Sequence, residues 1–507
     1  MAQFSEDIDG VKLSNGHAGL FDDEVNRAAS TGINVLIIGG GVGGLTAALE
    51  CYRKGHAVRV FERSPRASAG GDMFTIGASG LHFLDHYPNM QREYDDVTAH
   101  NLWMRYRKWT GEDIGEPFSF AAGTPGSDRH KHAAKPPIQT QQRPQFHAML
   151  YHQLERFGIK VRFGMRVVEY YEDVERKVGG VVTDKGEKFE ADLVIAADGL
   201  NSKSQALIPG PAEKAKPTGR TVFRGAFPLE IATADPLVNE TFGLRDGRYP
   251  FQQVWMGPDT HCVIQSYVDK HGKNGRLCFG LAFREPEGQV RKESWHDTVS
   301  SDEMLNVIDR LPGWPESIKT LIRLTPPETI IAWPLNPRDP QWTWHSPGAR
   351  VLQLGDAAHP FLPTSGNGAT QAIEDSITIA ECLSQSNKDA LPLAVRTHNL
   401  LRADRVSCCQ LLGFVNAERL HKTDLSSVSQ DPSKIAFKTP RWIWGLDPEV
   451  YARENFARAA GSLSEGEGKG FVNGNIPAGH RVEKWSIDEI EERQRRGERL
   501  ELEGNWS

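Results

Sequence analysis

The chain has 507 residues, 39% of them hydrophobic and 25% charged, enough for two or three domains of a soluble globular protein. A net charge of -7 at pH 7 argues against a nucleic-acid-binding surface and favours a small-molecule enzyme. Six cysteines without a CxxC pair are too sparse for a disulfide framework or a thiolate metal site, so free thiols in a reducing, cytoplasmic setting are expected.

Seventeen histidines are scattered without metal-ligand spacing, and no metal is expected. No run of about 18 apolar residues exists, which argues against a membrane span. The N-terminal stretch is polar and lacks the apolar core of a secretory signal, so it reads as a loose arm.

The first strong element is Asn34–Ile38, a short β-branched run that fits a strand buried on both faces. It enters Gly39-Gly-Gly-Val-Gly-Gly44, which satisfies G-x-G-x-x-G at Gly39, Gly41 and Gly44 and carries Gly43 as well. A helix follows from Leu45, then a second strand Ala57–Phe61 that ends on Glu62 and Arg63. Here Gly39 permits a sharp turn, Gly41 lets a pyrophosphate approach the backbone, and Gly44 lets helix and strand pack closely. The helix start offers free N–H groups to phosphate, and Glu62 can accept from ribose hydroxyls. Strand, loop, helix, strand and acid in register point to an adenine dinucleotide.

A turn-rich loop reaches Gly71, and a helix is expected to start near Gly77. Residues 107–140 read as a long surface excursion. Gln142-Arg143-Pro144 opens a helix whose apolar positions are Phe146, Leu150 and Leu154. Strands are expected at Lys160–Phe163, Val167–Val168 and Asp192–Asp198, the last ending in Asp198-Gly199, with a hairpin turn at Lys185-Gly186. Residues 220–285 alternate apolar runs and turns as an antiparallel sheet does, and residues 286–325 look helical and surface-lying. Arg350–Asp356 is a further strand entering a glycine-bearing loop. Helices are expected at Thr370–Leu383 and Leu400–Arg419, a flexible linker at Gly461–Gly470, and a capped, charged helix from Ser486 to about Arg496.

The order of G-x-G-x-x-G, Asp198-Gly199 and Gly355-Asp356 resembles the single-component (group A) FAD-dependent aromatic hydroxylases, such as salicylate hydroxylase and 4-hydroxybenzoate hydroxylase. The segment Gly355-Asp-Ala-Ala-His-Pro-Phe-Leu-Pro363, followed by Gly366-Asn-Gly-Ala-Thr-Gln-Ala-Ile-Glu-Asp375, is the strongest single match. The resemblance implies an α/β fold: a Rossmann-like, glutathione-reductase-type FAD-binding domain with an inserted antiparallel substrate sheet and C-terminal helices. The expected division is an arm at 1–31, FAD-binding parts at 32–205 and 345–430, a substrate domain at 206–344 and a C-terminal segment at 431–507.

It further implies FAD with NADPH or NADH as cofactors. The implied reaction runs through a flavin C4a-hydroperoxide that hydroxylates a phenolic or electron-rich aromatic small molecule with O2. Asp356 would hold a ribityl hydroxyl, Pro363 would stiffen the loop, and Gly366, Asn367, Gly368 and Ala369 would open a helix toward the anionic edge of the reduced ring. Relatives carry Gln where this chain has Asn367. Arg143 matches the family arginine that reaches the FAD ribose and phosphates, and Asp198-Gly199 would serve both FAD and nicotinamide. The family arginine after Ser202 is replaced by Gln205, with Lys203 nearby.

Substrate residues are expected from the sheet: Arg224 as an anion-binding fork, Tyr249 as a proton relay and His261 as a base. For His359 the expectation is a side chain turned away from the flavin to hold the loop. The alternatives are an epoxidase or indole oxidase of alkaloid or other secondary-metabolite biosynthesis, a non-oxygenating flavin oxidase, or an FAD-binding scaffold. A monomer or homodimer is expected.

Overall fold

The structure is a computed structural model, and it describes residues 24–67, 71–98, 102–119, 138–210, 215–244, 251–289, 291, 298–422, 440–466, 468, 470–498, 500 and 502–506. Strands and helices are numbered in chain order. A five-stranded parallel sheet is built from β1 (Asn34–Ile38), β2 (Ala57–Phe61), β7 (Val161–Arg162), β11 (Leu193–Ala196) and β18 (Val351–Gln353), in the order β18-β11-β1-β2-β7. The central strands are buried on both faces, which is why they read as unbroken apolar runs rather than alternating ones.

One face of this sheet packs on helices α1 (Val42–Arg53), α3 (Arg143–Arg156), α8 (Gly368–Ser384) and α9 (Leu391–Lys422), with Leu45, Leu49, Leu150 and Ile377 in the core. The other face is covered by an antiparallel ribbon of β8 (Val167–Asp173), β9 (Val178–Thr183) and β10 (Lys188–Ala191), through Tyr170 and Val181 against Leu36 and Val194. The expected turn at Lys185-Gly186 joins β9 to β10, and Gly186 has the left-handed φ of 76° that the turn needs.

The second layer is an eight-stranded sheet of order β16-β17-β12-β15-β14-β13-β4-β5. It comprises β4 (Trp103–Lys108), β5 (Phe118–Ser119), β12 (Arg220–Pro228), β13 (Phe251–Gly257), β14 (Thr260–Tyr267), β15 (Arg276–Arg284), β16 (Thr298–Val299) and β17 (Ile330–Pro334). Strict alternation along β12 sends Phe223 and Phe227 to one face and Arg224 to the other. The phenylalanine face is capped by α4 (Leu229–Thr233), α5 (Pro236–Phe242), α6 (Ser301–Asp309) and α7 (Glu316–Leu324). The Arg224 face turns toward the parallel-sheet domain. Between the layers run α2 (Pro88–Val97) and a two-stranded ribbon of β3 (Met73–Gly77) and β6 (Ile138–Gln142).

Three expectations need correction. Residues 107–140 are not one loose excursion: their ends form β4, β5 and β6, while 120–137 lie outside the described residues. Because β4 pairs in parallel with β13 across some 150 residues, the large sheet draws on the first segment as well as on 206–344. The glycine-rich stretch at 461 is not linker at its start, since 461–466 complete the helix Pro448–Gly466, whose Ala459 and Ala460 are buried. The helices within 286–325 bury Ile318, Leu321 and Ile322 against the sheet. The charged C-terminal helix Ile487–Arg495 has its expected capping box, and it docks through Ile487 and Ile490.

Candidate active site

The glycine loop sits where the ends of β1, β2 and β11 meet. Gly39 has φ 111°, and a Cβ there would stand 2.3 Å from the Ala197 carbonyl oxygen. A Cβ on Gly44 would stand 2.0 Å from the Gly39 carbonyl oxygen, so both positions require glycine for packing. Gly41, the N-cap of α1, is different: nothing lies within 4 Å of its missing Cβ. Its bare backbone faces open space at a helix N-terminus, the setting a pyrophosphate requires. Gly43 packs against Leu354 and Ala372, so glycine is needed there for helix contact rather than for cofactor approach.

Glu62 accepts from the Gly40 N–H at 2.7 Å and the Ser64 N–H at 2.8 Å, which fixes its carboxylate beside the loop with lone pairs to spare. Exposed Arg63 is close enough to act on Asp198 electrostatically. Two residues were missed in the sequence: His147 Nε2 donates to the Gly40 carbonyl at 2.5 Å, and the Tyr151 hydroxyl lies 2.6 Å from where a Gly40 Cβ would be. Both follow Arg143 at four-residue spacing, so the three share one face of α3, from which His147 and Tyr151 clamp the loop.

Asp198 accepts from the Tyr170 hydroxyl at 2.7 Å, and burial raises its carboxyl pKa. Gly199 takes φ 79°, which turns the chain away after β11. Asp356 lies at the end of β18 with its side chain open to a cleft of about 240 Å3, lined also by Asn201, Lys203, Gln205 and Arg338. The protein around Asp356 raises its carboxyl pKa, and nearby His359, Arg143 and Arg338 oppose the shift. Gln205 is engaged by Gln353, whose Nε2 donates to it at 3.1 Å.

The loop after Asp356 is fixed from below. His359 is 1% exposed and points away from the cleft, with Nε2 2.5 Å from Asp375 Oδ2. Arg402 Nε in turn donates to Asp375 Oδ1 at 2.8 Å. Pro363 opens a short 3-10 turn that ends on Gly366 at φ 61°, and the Gly366 carbonyl accepts from Thr75 Oγ1 at 3.1 Å. Asn367 caps α8 by position, but its amide donates to the Ser365 carbonyl and so stiffens the turn. Gly368 and Ala369 begin the first turn of α8, where Thr370 Oγ1 accepts from the Gly77 N–H at the end of β3 at 2.9 Å.

These groups fit FAD. Gly41 offers a cradle that a Cβ would fill, Asp356 offers an open carboxylate, and on the ribbon Thr140 Oγ1 and Gln142 Nε2 are buried without a partner among the described residues. Arg143 stands between Asp72, Arg224 and Asp356, where burial lowers its pKa and the two carboxylates oppose that.

The expected substrate residues fare differently. Arg224 is not an open fork: its Nε donates to Asp72 Oδ2 at 2.8 Å and its Nη2 to Asp72 Oδ1. His261 is not placed as a base. Its Nδ1 lies 2.8 Å from His421 Nε2 under the end of α9, and burial with Arg220 nearby lowers its pKa to about 4, too low to take a phenol proton effectively. Tyr249 lies outside the described residues.

The FAD binding domain family matches residues 32–230. The FAD-dependent monooxygenase fsr3 of Gibberella fujikuroi is 39% identical over 502 residues, spanning 98% of this chain and 94% of that protein. The crystal structure of CtdE in complex with FAD and substrate 4 is 27% identical, with a TM-score of 0.74 over 85% of this chain and 100% of that one. A salicylate hydroxylase substrate complex, 22% identical, shares the fold at a TM-score of 0.64 over 83% of this chain and 98% of that one.

Proposed function

The chain belongs to the family of FAD-dependent monooxygenases, and we propose that it uses NADH or NADPH with O2 to hydroxylate a phenolic or other electron-rich aromatic small molecule. The supporting observation is adjacency: a Cβ on Gly39 would meet Ala197 and Asp198, Gly43 packs against Leu354 just before Asp356, and Arg143 stands between Asp356 and the Asp72–Arg224 pair at the large sheet. FAD, when bound, supplies electron transfer and oxygen activation.

The chain's own residues would hold and shield the reactants. The N-terminus of α1 at Gly41 would take the pyrophosphate, Glu62 and Arg143 the ribose and phosphate region, and Asp356 a ribityl hydroxyl. The α8 N-terminus, from Gly366 to Ala369, would place N–H groups and a positive dipole end where negative charge builds up. Lys203 and Arg338, beside Asp356, would take the nicotinamide phosphates in the absence of an arginine at 205. Tyr249 is the candidate proton relay. The large sheet would exclude water from the reacting atoms. The protein would work in the cytoplasm as a monomer or homodimer.

The test is NAD(P)H oxidation by the FAD-loaded protein across a panel of phenols, aromatic acids and indoles under 18O2. Products carrying one labelled oxygen are expected. Peroxide release with no labelled product would replace the reading with an oxidase, and no ligand-stimulated NAD(P)H consumption at all would leave only an FAD-binding scaffold.

A further inference from the structure

Two glutamines stand opposite each other in the middle of the large sheet, on the face turned to the cofactor cradle. Gln252 of β13 and Gln265 of β14 are register partners, and Gln265 also lies opposite Cys278 of β15. Cys278 reaches the Met73 backbone, and Arg224 on the same face is held by Asp72, so this face looks onto the end of β3. Gln265 is 0% exposed, yet neither its Nε2 nor its Oε1 has a hydrogen-bond partner among the described residues. Gln252 Oε1 is buried and unpartnered in the same way. The flanking polar groups of β14 are satisfied: the Tyr267 hydroxyl donates to the Val97 carbonyl, and His261 pairs with His421. A buried amide without partners is costly, and a fold that keeps one at the centre of a sheet face is arranged for a ligand to complete it.

We infer that Gln252 and Gln265 form the polar floor of the substrate site and select a neutral aromatic ligand with a carbonyl beside a hydroxyl or N–H, in preference to an aromatic carboxylate. This inference rests on the monooxygenase reading of the cleft. The Gln265 amide presents a donor and an acceptor side by side, and Gln252 adds a second acceptor. A ligand hydroxyl can donate to an amide oxygen while the adjacent carbonyl accepts from Gln265. A carboxylate brings acceptors only and would set its charge against two amide oxygens. The guanidinium that projects from the same face, Arg224, is already committed to Asp72.

The probes are 1-hydroxy-2-acetonaphthone and 1-hydroxy-2-naphthoate, which share ring and hydroxyl and differ as ketone and carboxylate. Each is titrated into the FAD-loaded full chain, by calorimetry and by the change in flavin absorbance. The ketone is expected to bind at least about tenfold more tightly. Gln265→Met, and separately Gln252→Met, should weaken the ketone about tenfold while FAD content and Tm stay unchanged. Equal or tighter naphthoate binding, no ketone binding, or a ketone affinity indifferent to both substitutions overturns the inference. A protein that holds the ketone through Gln265 but never consumes NAD(P)H would lose the proposed function and keep this inference. One that hydroxylates but prefers the carboxylate would do the reverse.

Discussion

Nε2 of His359 lies 2.5 Å from Oδ2 of Asp375, and the same carboxylate oxygen accepts from the Gly355 N–H at 3.2 Å. One side chain on α8 therefore pins both the start and the middle of the loop that carries Asp356. Replacing His359 by Ala should loosen that loop without touching the cleft. A rise of about tenfold in the Kd for FAD is expected, the size of one charge-assisted hydrogen bond. Fluorescence titration of apoprotein with FAD measures it, and an unchanged Kd would remove the positioning role.

Beneath the loop, Glu374 accepts from Arg405 Nε at 2.7 Å, Arg402 Nη1 at 2.6 Å and Ser79 Oγ at 2.7 Å, all within the core. Burial pushes its pKa up, but the Arg405 and Arg402 charges and these hydrogen bonds outweigh it and hold the value at about 2. A depressed carboxyl stabilises the fold fully above its unfolded value near 4.5 and loses that contribution as pH falls toward 2. Glu374→Gln should cost on the order of 3–5 kcal/mol at neutral pH, because it leaves buried guanidinium charge uncompensated. The gap to the unsubstituted protein in urea unfolding should shrink between pH 4.5 and 2. A gap independent of pH would contradict the assignment.

The glycines of the nucleotide loop divide into two classes that substitution can separate. Gly41→Ala meets open space at φ -76°, so the fold should keep its Tm while FAD content falls at least about tenfold. Gly44→Ala drives a methyl to within 2.0 Å of the Gly39 carbonyl oxygen and should lower stability itself, by roughly 1–3 kcal/mol. Flavin absorbance per chain and thermal melts read the two effects independently. Loss of Tm in the first variant would show that Gly41 serves packing.

Asp72 neutralises Arg224 from 152 residues away. Asp72→Asn should release a guanidinium charge on the sheet face and raise affinity for 1-hydroxy-2-naphthoate about fivefold to tenfold, with little change for the matching ketone. Titration of both probes checks this. An unchanged naphthoate Kd would mean that Arg224 does not reach the ligand.

The amino-acid order by itself determined the nucleotide half of this protein. Strand, glycine loop, helix, strand and Glu62 are contiguous, and their chemistry depends on backbone conformation and helix ends that neighbours in sequence define. The segment from Gly355 to Asp375 is legible for the same reason. Tertiary structure alone decided the chemistry of the sheet face. Arg224 reads as an open anion fork until Asp72 is seen to fill it, and His261 reads as a base until His421 and burial are seen to suppress it. The parallel pairing of β4 with β13 left no local trace, because a parallel register links segments that share no turn. Gln252 and Gln265 lie in separate strands, and only their alignment in the sheet, with no partner for the buried amide among the described residues, marks them as a pair. Burial and long-range pairing set the energy of a polar side chain, and neither is written in the residues beside it.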